Sequence, residues 1–355
     1  MKTFLRRLLL FCLPLLLWVG LEAYLPSTQW QFRHFKGMRF DWYQKDLPNF
    51  QNQHSFLVAE GDLCPRTPFA IPKEELWITD ALGYRNERLT DSPKILLIGD
   101  SFTLGSGLTQ SEILSHQLNE LLGDSTAVYA MAPADLSQYF QLVQHGILHP
   151  PQILIYQHVE RLLPASLDYA KIQTPPAFTR GLKAWLHDSE MDILLDKAFR
   201  FYAFRAGLKR LTSTLYPKPL GIQSPTYTGL FFLNAENSTY EPEALDAFGH
   251  LLETTHRELQ TTSTRFIYLP IPNKETLYSR YHPNAMNDRA YQQLLRTAQN
   301  LNIEVVNTLQ LLQTVDGEAL TYHLDDSHWN AEGVHRVAQA LQLLIQNDAP
   351  IPPLK

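Results

Sequence analysis

Cysteine is scarce in this chain, whose 355 residues include only Cys12 and Cys64. Because Cys12 lies inside an apolar N-terminal run, we expect no disulfide framework, and the fold must rest on a hydrophobic core. A basic surplus is also missing, since 30 Lys and Arg residues face 36 Asp and Glu residues and the net charge is -6. A chain with this charge balance is not expected to bind nucleic acid through the phosphate backbone.

Motifs for nucleotides and metals are missing as well. The stretch GDSFTLGSG is not followed by the Lys and Ser or Thr of a phosphate-binding loop, and no Rossmann glycine pattern occurs. His145 and His149 are four residues apart, but no cysteine or carboxylate completes a metal-binding set with them. We therefore predict neither a cofactor nor a metal. The composition, 45% hydrophobic and 19% charged, is that of an ordinary globular protein with a core.

The N-terminus has the charge pattern of an export signal. Lys2, Arg6 and Arg7 precede an apolar stretch from Leu8 to Leu21 that is short for a complete membrane span. Because no convincing small-residue cleavage site follows, we expect residues 1–25 to be an uncleaved single-pass anchor rather than a cleaved signal. Basic residues at the start favour a cytoplasmic N-terminus, with the rest of the chain on the periplasmic side of the inner membrane.

Strands and helices alternate from residue 94 onward. Five segments have the apolar character and flanking turn residues of strands, and they are 94–99, 126–131, 152–159, 265–271 and 303–308. Segments with helical periodicity lie between or after them, near 110–122, 136–148, 243–261, 287–300 and 331–346. This alternation predicts an α/β fold with a parallel five-stranded sheet covered by helices on both faces.

The remaining segments suggest how the chain is divided. We expect residues 26–90 to form a membrane-proximal lead-in that packs on a main domain at 91–346, and residues 347–355 to form a loose tail. Within that domain, an insertion at about 165–240 is too long for a plain crossover and is expected to be largely helical. Its basic amphipathic segment near 190–212 is either a solvated helix or a face that docks on a membrane or partner.

A serine occurs where the first predicted strand ends. The stretch KILLIGDSFTLGSG delivers Ser101 between a buried strand and the helix that follows it. In open α/β sheets this carboxyl edge is where ligands bind. Ser101 is therefore either a nucleophile or a residue that caps the next helix.

A histidine with two neighbouring carboxylates occurs near the C-terminus, in LDDSHWNAEG. A serine nucleophile needs a base, and the base needs an orienting carboxylate. His328 is the candidate base, although a His beside two Asp residues is by itself often only a hydrogen-bonded loop cluster. Asp326 and Asp325 are both candidates for the orienting carboxylate. A helical turn would align residues three positions apart and select Asp325, whereas a more extended loop aligns residues two positions apart and selects Asp326, which we favour.

The two blocks together resemble a known superfamily. Gly99-Asp100-Ser101 after a strand and a late Asp-x-His-Trp-Asn are similar to the SGNH/GDSL hydrolases, which implies a flavodoxin-like three-layer sandwich and a Ser-His-Asp triad. A narrower resemblance is to the AlgJ/AlgX-type branch, which acetylates exported polysaccharides. The stretches that carry it are ILIYQHVERLLP at 153–164, LPIPNKETLY at 269–278 and DDSHWNAEG at 325–333.

The chain departs from the superfamily where oxyanion donors are expected. The resemblance implies a glycine after the second strand and an asparagine after the third, but the chain has Met131 and Glu160-Arg161 near those places. A backbone N–H at Met131 and the side chain of Arg161 are the oxyanion or substrate candidates. Arg161 could instead pair with Glu160. Arg85, just before the first strand, is a further candidate for the rim of the site, with a surface loop as the alternative.

Together with these residues, the resemblance implies an extracytoplasmic serine acyltransferase that moves an acyl group, expected to be acetyl, onto hydroxyls of an exported polysaccharide. Because one anchor cannot conduct acyl groups, the expected donor partner is a separate multi-span membrane acyltransferase. The alternatives are an SGNH esterase, since the same triad can use water, and a non-catalytic glycan-binding or assembly protein, which the missing oxyanion residues favour.

Overall fold

The computed structural model describes residues 2–24, 52–163, 211 and 218–347. Within these ranges it leaves out residues 66, 81, 125, 126, 145, 237, 238 and 315–318. The chain forms two compact units, residues 1–50 with 173–218 and residues 51–172 with 219–355. In the first unit, Lys2–Tyr24 form a helix with Pro14 inside it. In the described part of the chain, no helix combines the length and the apolar character needed to cross a membrane. The anchor predicted at 1–25 therefore lacks structural support.

The regular elements follow the predicted alternation. The strands are β1 (Asn52–Ala59), β2 (Lys73–Thr79), β3 (Ile95–Ile98), β4 (Val128–Met131), β5 (Ile153–Val159), β6 (Ile222–Gln223), β7 (Phe231–Phe232), β8 (Arg265–Ile271) and β9 (Glu304–Val305). The helices are α1 (Lys2–Tyr24), α2 (Ser101–Leu104), α3 (Leu114–Leu122), α4 (Leu136–Gln144), α5 (Pro242–Thr261), α6 (Lys274–Leu277), α7 (Arg289–Asn300), α8 (Thr308–Leu312) and α9 (Ala331–Asn347).

Five of the strands form one parallel sheet in the order β4-β3-β5-β8-β9. Counted along the chain, this is the order 2-1-3-4-5 of a flavodoxin-like sheet. The α/β fold and the parallel five-stranded sheet predicted from the sequence are confirmed. Because every strand in such a sheet points the same way, the residues that follow β3, β4, β5 and β8 all emerge at one edge.

The sheet is buried on both faces, as the continuous apolar runs predict. On one face, α3 and α9 pack on each other and on the sheet through Leu118, Val334 and Leu341, all fully buried. On the other face, Phe248 of α5 contacts Tyr268 of β8 with ring centroids 5.7 Å apart. The result is three layers, with a helical layer on each side of the sheet.

The last strand is shorter than predicted. The sequence predicts a strand at 303–308, but β9 covers only Glu304–Val305. Asn307 ends it, because its side chain accepts a hydrogen bond from Gln310 N and caps α8. An N-cap residue of this kind starts a helix where β-branched residues had indicated a longer strand.

Two hairpins lie outside the five-stranded sheet but in the same unit, residues 51–172 with 219–355. β1 and β2 pair in antiparallel fashion, and the loop between them, residues 60–72, reaches the segment 324–328. β6 and β7 form the second hairpin, in which Phe231 N donates to Leu324 O at 2.9 Å. Both hairpins therefore support the segment that carries His328. The predicted helix near 190–212 lies, apart from Leu211, outside the described residues.

Candidate active site

The serine is presented by a tight turn after β3. A Cβ at Gly99 would meet Thr103 Oγ1, and would lie 2.5 Å from Gln157 Oε1, so only glycine fits between the strand and α2. Asp100 then caps α2, because its Oδ1 accepts from Phe102 N at 2.9 Å. These contacts place Ser101 in the first position of α2, at the carboxyl edge of the sheet.

Ser101, His328 and Asp326 form one chain of hydrogen bonds. Ser101 Oγ lies 2.8 Å from His328 Nε2, and His328 Nδ1 lies 2.6 Å from Asp326 Oδ1. Asp326 Oδ1 also accepts from His328 N at 3.0 Å, which fixes the loop around the ring. With Nδ1–H donating to the carboxylate, Nε2 is left to accept the proton of the serine hydroxyl. This is the geometry of a nucleophile, a general base and an orienting acid.

The carboxylate of Asp326 is held in its ionised form. Burial by itself would raise the pKa of Asp326. The charge and hydrogen bond of His328, together with the charges of Lys73 and His323, outweigh burial and leave the pKa well below its ordinary value. Lys73 Nζ lies 3.9 Å from Asp326 Oδ2. An ionised Asp326 stabilises the imidazolium that forms when His328 takes a proton.

Asp325 has a different set of partners. It is fully buried, and its Oδ2 accepts from Gly61 N at 3.0 Å and Ile71 N at 2.9 Å. Its Oδ1 lies 3.4 Å from Lys73 Nζ. The sequence left both aspartates as candidates for the orienting carboxylate. In the structure Asp326 is hydrogen-bonded to the imidazole, whereas Asp325 binds loop 60–72 to the segment that carries His328.

Aromatic side chains surround the histidine. The ring centroid of Phe102 lies 4.8 Å from that of His328 and 5.5 Å from that of Trp329, which is fully buried. Asn330 accepts from Gly333 N at 3.0 Å and so caps α9. His328 is thereby held between a packed ring on one side and the start of a helix on the other.

The oxyanion candidates from the sequence occupy different places. Met131 is the buried last residue of β4, and its carbonyl accepts from Gly99 N at 3.3 Å. Arg161 is exposed just beyond β5, where its Nη1 donates to Asn273 Oδ1 at 3.2 Å and its guanidinium lies 5.9 Å from the Phe102 ring centroid. Arg161 thus stands beside the residue that follows the serine.

Arg85 does not reach the rim of the site. It is buried, and its guanidinium donates to four backbone carbonyls and one side-chain oxygen, those of Leu76, Leu104, Gly105, Leu108 and Gln110. The guanidinium also stacks 4.0 Å from the Trp77 ring centroid. Arg85 therefore holds together the chain after α2 and the strand β2, and all its donors are used for that purpose.

Sequence reasoning missed four residues that support the histidine. They come from the loop after β1, from β2 and from α6, and they are Gly61, Asp62, Lys73 and Lys274. The carboxylate of Asp62 accepts from Ser327 N at 2.8 Å and from Ser327 Oγ at 2.7 Å. No local pattern could reveal this contact, because the two residues are 265 positions apart. Of these four residues, only Lys274 lies in a stretch that carries the family resemblance, LPIPNKETLY at 269–278.

One group of side chains in the described residues could offer atoms to a metal ion. Asp62, Asp326 and His328 have ligand atoms within 4.8 Å of one another. Both nitrogens of His328 are, however, engaged by Asp326 and Ser101, and Asp62 is engaged by Ser327. The arrangement fits proton transfer better than metal coordination.

Part of the chain is similar to a known protein family. Residues 229–354 match the family described as "SGNH hydrolase-like domain, acetyltransferase AlgX". No curated protein matches the chain.

Several solved structures are similar to it. A lipase/acylhydrolase from Enterococcus faecalis is 14% identical, with 73% of this chain and 99% of that chain covered and a TM-score of 0.39. A GDSL-like lipase from Bacteroides thetaiotaomicron is 10% identical, with coverage of 74% and 93% and a TM-score of 0.36. An acetyl xylan esterase from Butyrivibrio proteoclasticus is 10% identical, with coverage of 78% and 67% and a TM-score of 0.33. At these values the likenesses assign no activity to the chain.

The family match covers the segment that holds Asp326 and His328 but not the one that holds Ser101. Residues 229–354 are thus similar to the SGNH hydrolase-like domain of the AlgX acetyltransferase family, which confirms the resemblance seen in the sequence and supports an enzyme that transfers or hydrolyses acyl groups.

Proposed function

We propose that this protein is a serine O-acyltransferase that moves an acetyl group onto hydroxyls of an exported polysaccharide. The observation that carries the proposal is the hydrogen-bond chain from Ser101 through His328 to Asp326, with donor–acceptor distances of 2.8 and 2.6 Å. A catalytic role for the three residues, the acetyl group and the glycan acceptor are parts of this proposal.

The first half of the reaction loads the serine. Ser101 Oγ attacks the ester carbonyl carbon while its proton passes to His328 Nε2, and a tetrahedral oxyanion forms. The N–H of Ser101, at the first turn of α2 where intrahelical acceptors are lacking, and the guanidinium of Arg161 are the proposed oxyanion donors. His328 then gives its proton to the leaving oxygen, and the acyl group stays on Ser101.

The second half of the reaction transfers the acyl group from Ser101 to the acceptor. A glycan hydroxyl attacks the acyl-serine carbonyl, His328 Nε2 takes the hydroxyl proton, and the collapse of the tetrahedral intermediate returns that proton to Ser101 Oγ. Water in place of the glycan hydroxyl would make the same site an esterase. The choice between transfer and hydrolysis depends on which hydroxyl reaches the acyl-serine.

The location and the donor are further parts of the proposal. The basic and then apolar pattern of residues 1–25 supports export of the domain. A charged thioester donor in the cytosol could not reach Ser101 on the far side of a membrane. We therefore include a multi-span membrane acyltransferase as the partner that supplies acyl groups.

The test follows acyl groups on the protein and in the products. The full chain is incubated with an activated acetyl ester, with and without a soluble glycan acceptor, and acyl-serine, free acetate and acetylated glycan are measured. We expect Ser101→Ala and His328→Ala to lower turnover by several orders of magnitude, as loss of a triad member typically does. Lys94→Met, at an exposed ion pair with Asp124, serves as the control.

The products separate the alternatives. Acetylated glycan formed only with intact Ser101 supports transfer, and free acetate at an equal rate with or without glycan favours the esterase. Turnover by Ser101→Ala close to the wild-type rate would rule out the serine mechanism. Glycan binding without acyl-serine would favour the non-catalytic alternative.

A further inference from the structure

A buried lysine lies beneath the segment that carries Asp326 and His328. Lys274, the first residue of α6, has no exposed surface. Its Nζ donates to Leu324 O and to Asp326 O, each at 3.0 Å. One ammonium thus binds two backbone carbonyls that flank Asp325, so it fixes the local backbone from which the Asp326 carboxylate projects.

The surroundings of this lysine are strongly acidic. Glu275 on its own helix, Asp325 and Asp326 on the His328 segment and Asp62 on loop 60–72 all favour the charged form. Lys73, a second cation at this cluster, has its Nζ 3.4 Å from Asp325 Oδ1. The ring of Phe232, from β7, lies 5.7 Å from Lys274 Nζ. Lys274 and Lys73 are therefore two ammonium groups within an acidic cluster that adjoins the histidine segment.

The same short stretch also holds the other side of the site. Asn273, the residue before Lys274, donates its N–H to Glu160 Oε2 at 2.8 Å and accepts from Arg161 at 3.2 Å. Thr276 Oγ1 donates to Glu160 Oε1 at 3.1 Å. The stretch PNKET therefore joins the end of β5 to the histidine segment, so its contacts span both halves of the proposed site.

We infer that Lys274 is a positioning residue of the acyl-transfer site, whose ammonium sets the backbone of 324–326 and thereby the alignment of Asp326 with the His328 imidazole. The inference rests on the proposed function. A purely structural lysine would contribute to stability without changing the imidazole hydrogen bond. A positioning lysine changes that bond and the turnover number together, because small misplacements of reacting groups cost up to about 100-fold in rate.

Burial makes this ammonium sensitive to pH. Burial lowers the pKa of Lys274 to about 8, and the surrounding carboxylates, of which Glu275 contributes most, only partly oppose that shift. Loss of the proton removes a positive charge and weakens two charge-assisted hydrogen bonds. An arginine in the same place keeps its charge to a higher pH than a lysine, because a guanidinium gives up its proton far less readily than an ammonium.

The experiment compares Lys274→Met, Lys274→Arg and the exposed control Lys94→Met in the full chain. Turnover of an activated acetyl ester gives kcat and KM, and proton NMR follows the downfield Nδ1–H signal of His328, assigned by its loss in Asp326→Asn. For Lys274→Met we expect kcat to fall about 10- to 100-fold with KM within twofold, and the downfield signal to be lost or shifted. Lys274→Arg should recover part of both.

The outcomes keep this inference apart from the proposed function. The NMR signal does not require turnover, so an inactive wild-type protein would end the proposed function and leave the lysine testable. If Lys274→Met does not fold, the inference is tested by the fall of kcat at alkaline pH in wild type and Lys274→Arg. We expect this fall to occur at a higher pH in Lys274→Arg than in wild type. The same alkaline fall of kcat in both proteins would overturn the inference. So would a folded Lys274→Met that has the kcat and the His328 Nδ1–H signal of wild type.

Discussion

Gly61 lies directly against the backbone of Asp325, although 264 residues separate them. Gly61 N donates to Asp325 Oδ2 at 3.0 Å, and a Cβ at Gly61 would meet the Asp325 carbonyl oxygen. The loop between β1 and β2 can therefore approach the histidine segment only because residue 61 has no side chain. Loop 60–72 is thus a wall beside the histidine segment, and its fit depends on this contact.

Replacement of Gly61 by alanine should loosen that wall. The added Cβ would lie 2.6 Å from Asp325 Cγ, so the loop or the aspartate must move. We expect a loss of about 1–3 kcal/mol in the free energy of unfolding, as for other overpacked sites, measured by urea denaturation. Gly249→Ala is the matched control, because its Cβ would meet only Thr297 Cγ2 at an ordinary 3.5 Å within helix α5. An unchanged unfolding midpoint in Gly61→Ala would contradict the prediction.

The two adjacent aspartates should respond differently to the same substitution. Asp326→Asn removes the carboxylate on His328 Nδ1, and we expect kcat to fall about 10³- to 10⁴-fold on an activated ester. Asp325→Asn removes the charge facing Lys73 but keeps an oxygen for Gly61 and Ile71, so its effect should be mainly on stability. Steady-state kinetics and urea unfolding on both variants test this. Equal losses of kcat would mean that Asp326 does not orient the base.

Arg161 gives a test of the proposed oxyanion role. Its guanidinium lies near Phe102 and is held by Asn273. If it stabilises the developing oxyanion, Arg161→Met should lower kcat about 10²-fold or more and leave KM nearly unchanged. Asn273→Ala, which frees the guanidinium, should give a smaller loss. A rise in KM with unchanged kcat would instead assign Arg161 to substrate binding.

The sequence predicted the parts of this structure that local pattern determines. The apolar runs of β3, β5 and β8 are buried on both faces of the sheet and match their predicted positions within one or two residues. Ser101 and His328 were found because each stands at an element boundary in a chemically distinct stretch. The topology then brings both to one edge of the sheet, as the βα alternation requires.

What the sequence could not predict depends on contacts between distant segments. The choice between Asp325 and Asp326 is decided by Gly61, Ile71 and Lys73, more than 250 residues away in the chain. Arg85 was expected at the rim, yet a cluster of backbone carbonyls fixes it in the interior. Nothing in the neighbouring residues of Arg85 indicates those carbonyls, because three of the four belong to Leu104, Gly105 and Leu108, later in the chain.

Glu160 should make the stability of the protein depend on pH between about 4.5 and 7. It is 3% exposed, and burial raises its pKa from 4.5 to about 7, against opposing hydrogen bonds from Asn273 N and Thr276 Oγ1. Because the folded state holds this proton more tightly than the unfolded state, the contribution to stability is complete below pH 4.5. It is lost as the pH rises to about 7, by a total of about 3 kcal/mol.

Glu160→Gln should remove this dependence, since the amide keeps an oxygen for Asn273 N and does not ionise. The measurement is the free energy of unfolding from urea denaturation at several pH values for wild type and variant, with their difference isolating Glu160 from other buried groups. Between pH 4.5 and 8, we expect the free energy of unfolding of the variant to rise relative to that of wild type by up to about 3 kcal/mol. Glu332→Gln, which removes an exposed carboxylate paired with Arg336, is the control. A difference between wild type and Glu160→Gln that does not change with pH would show that residue 160 is ionised at no cost in the folded protein.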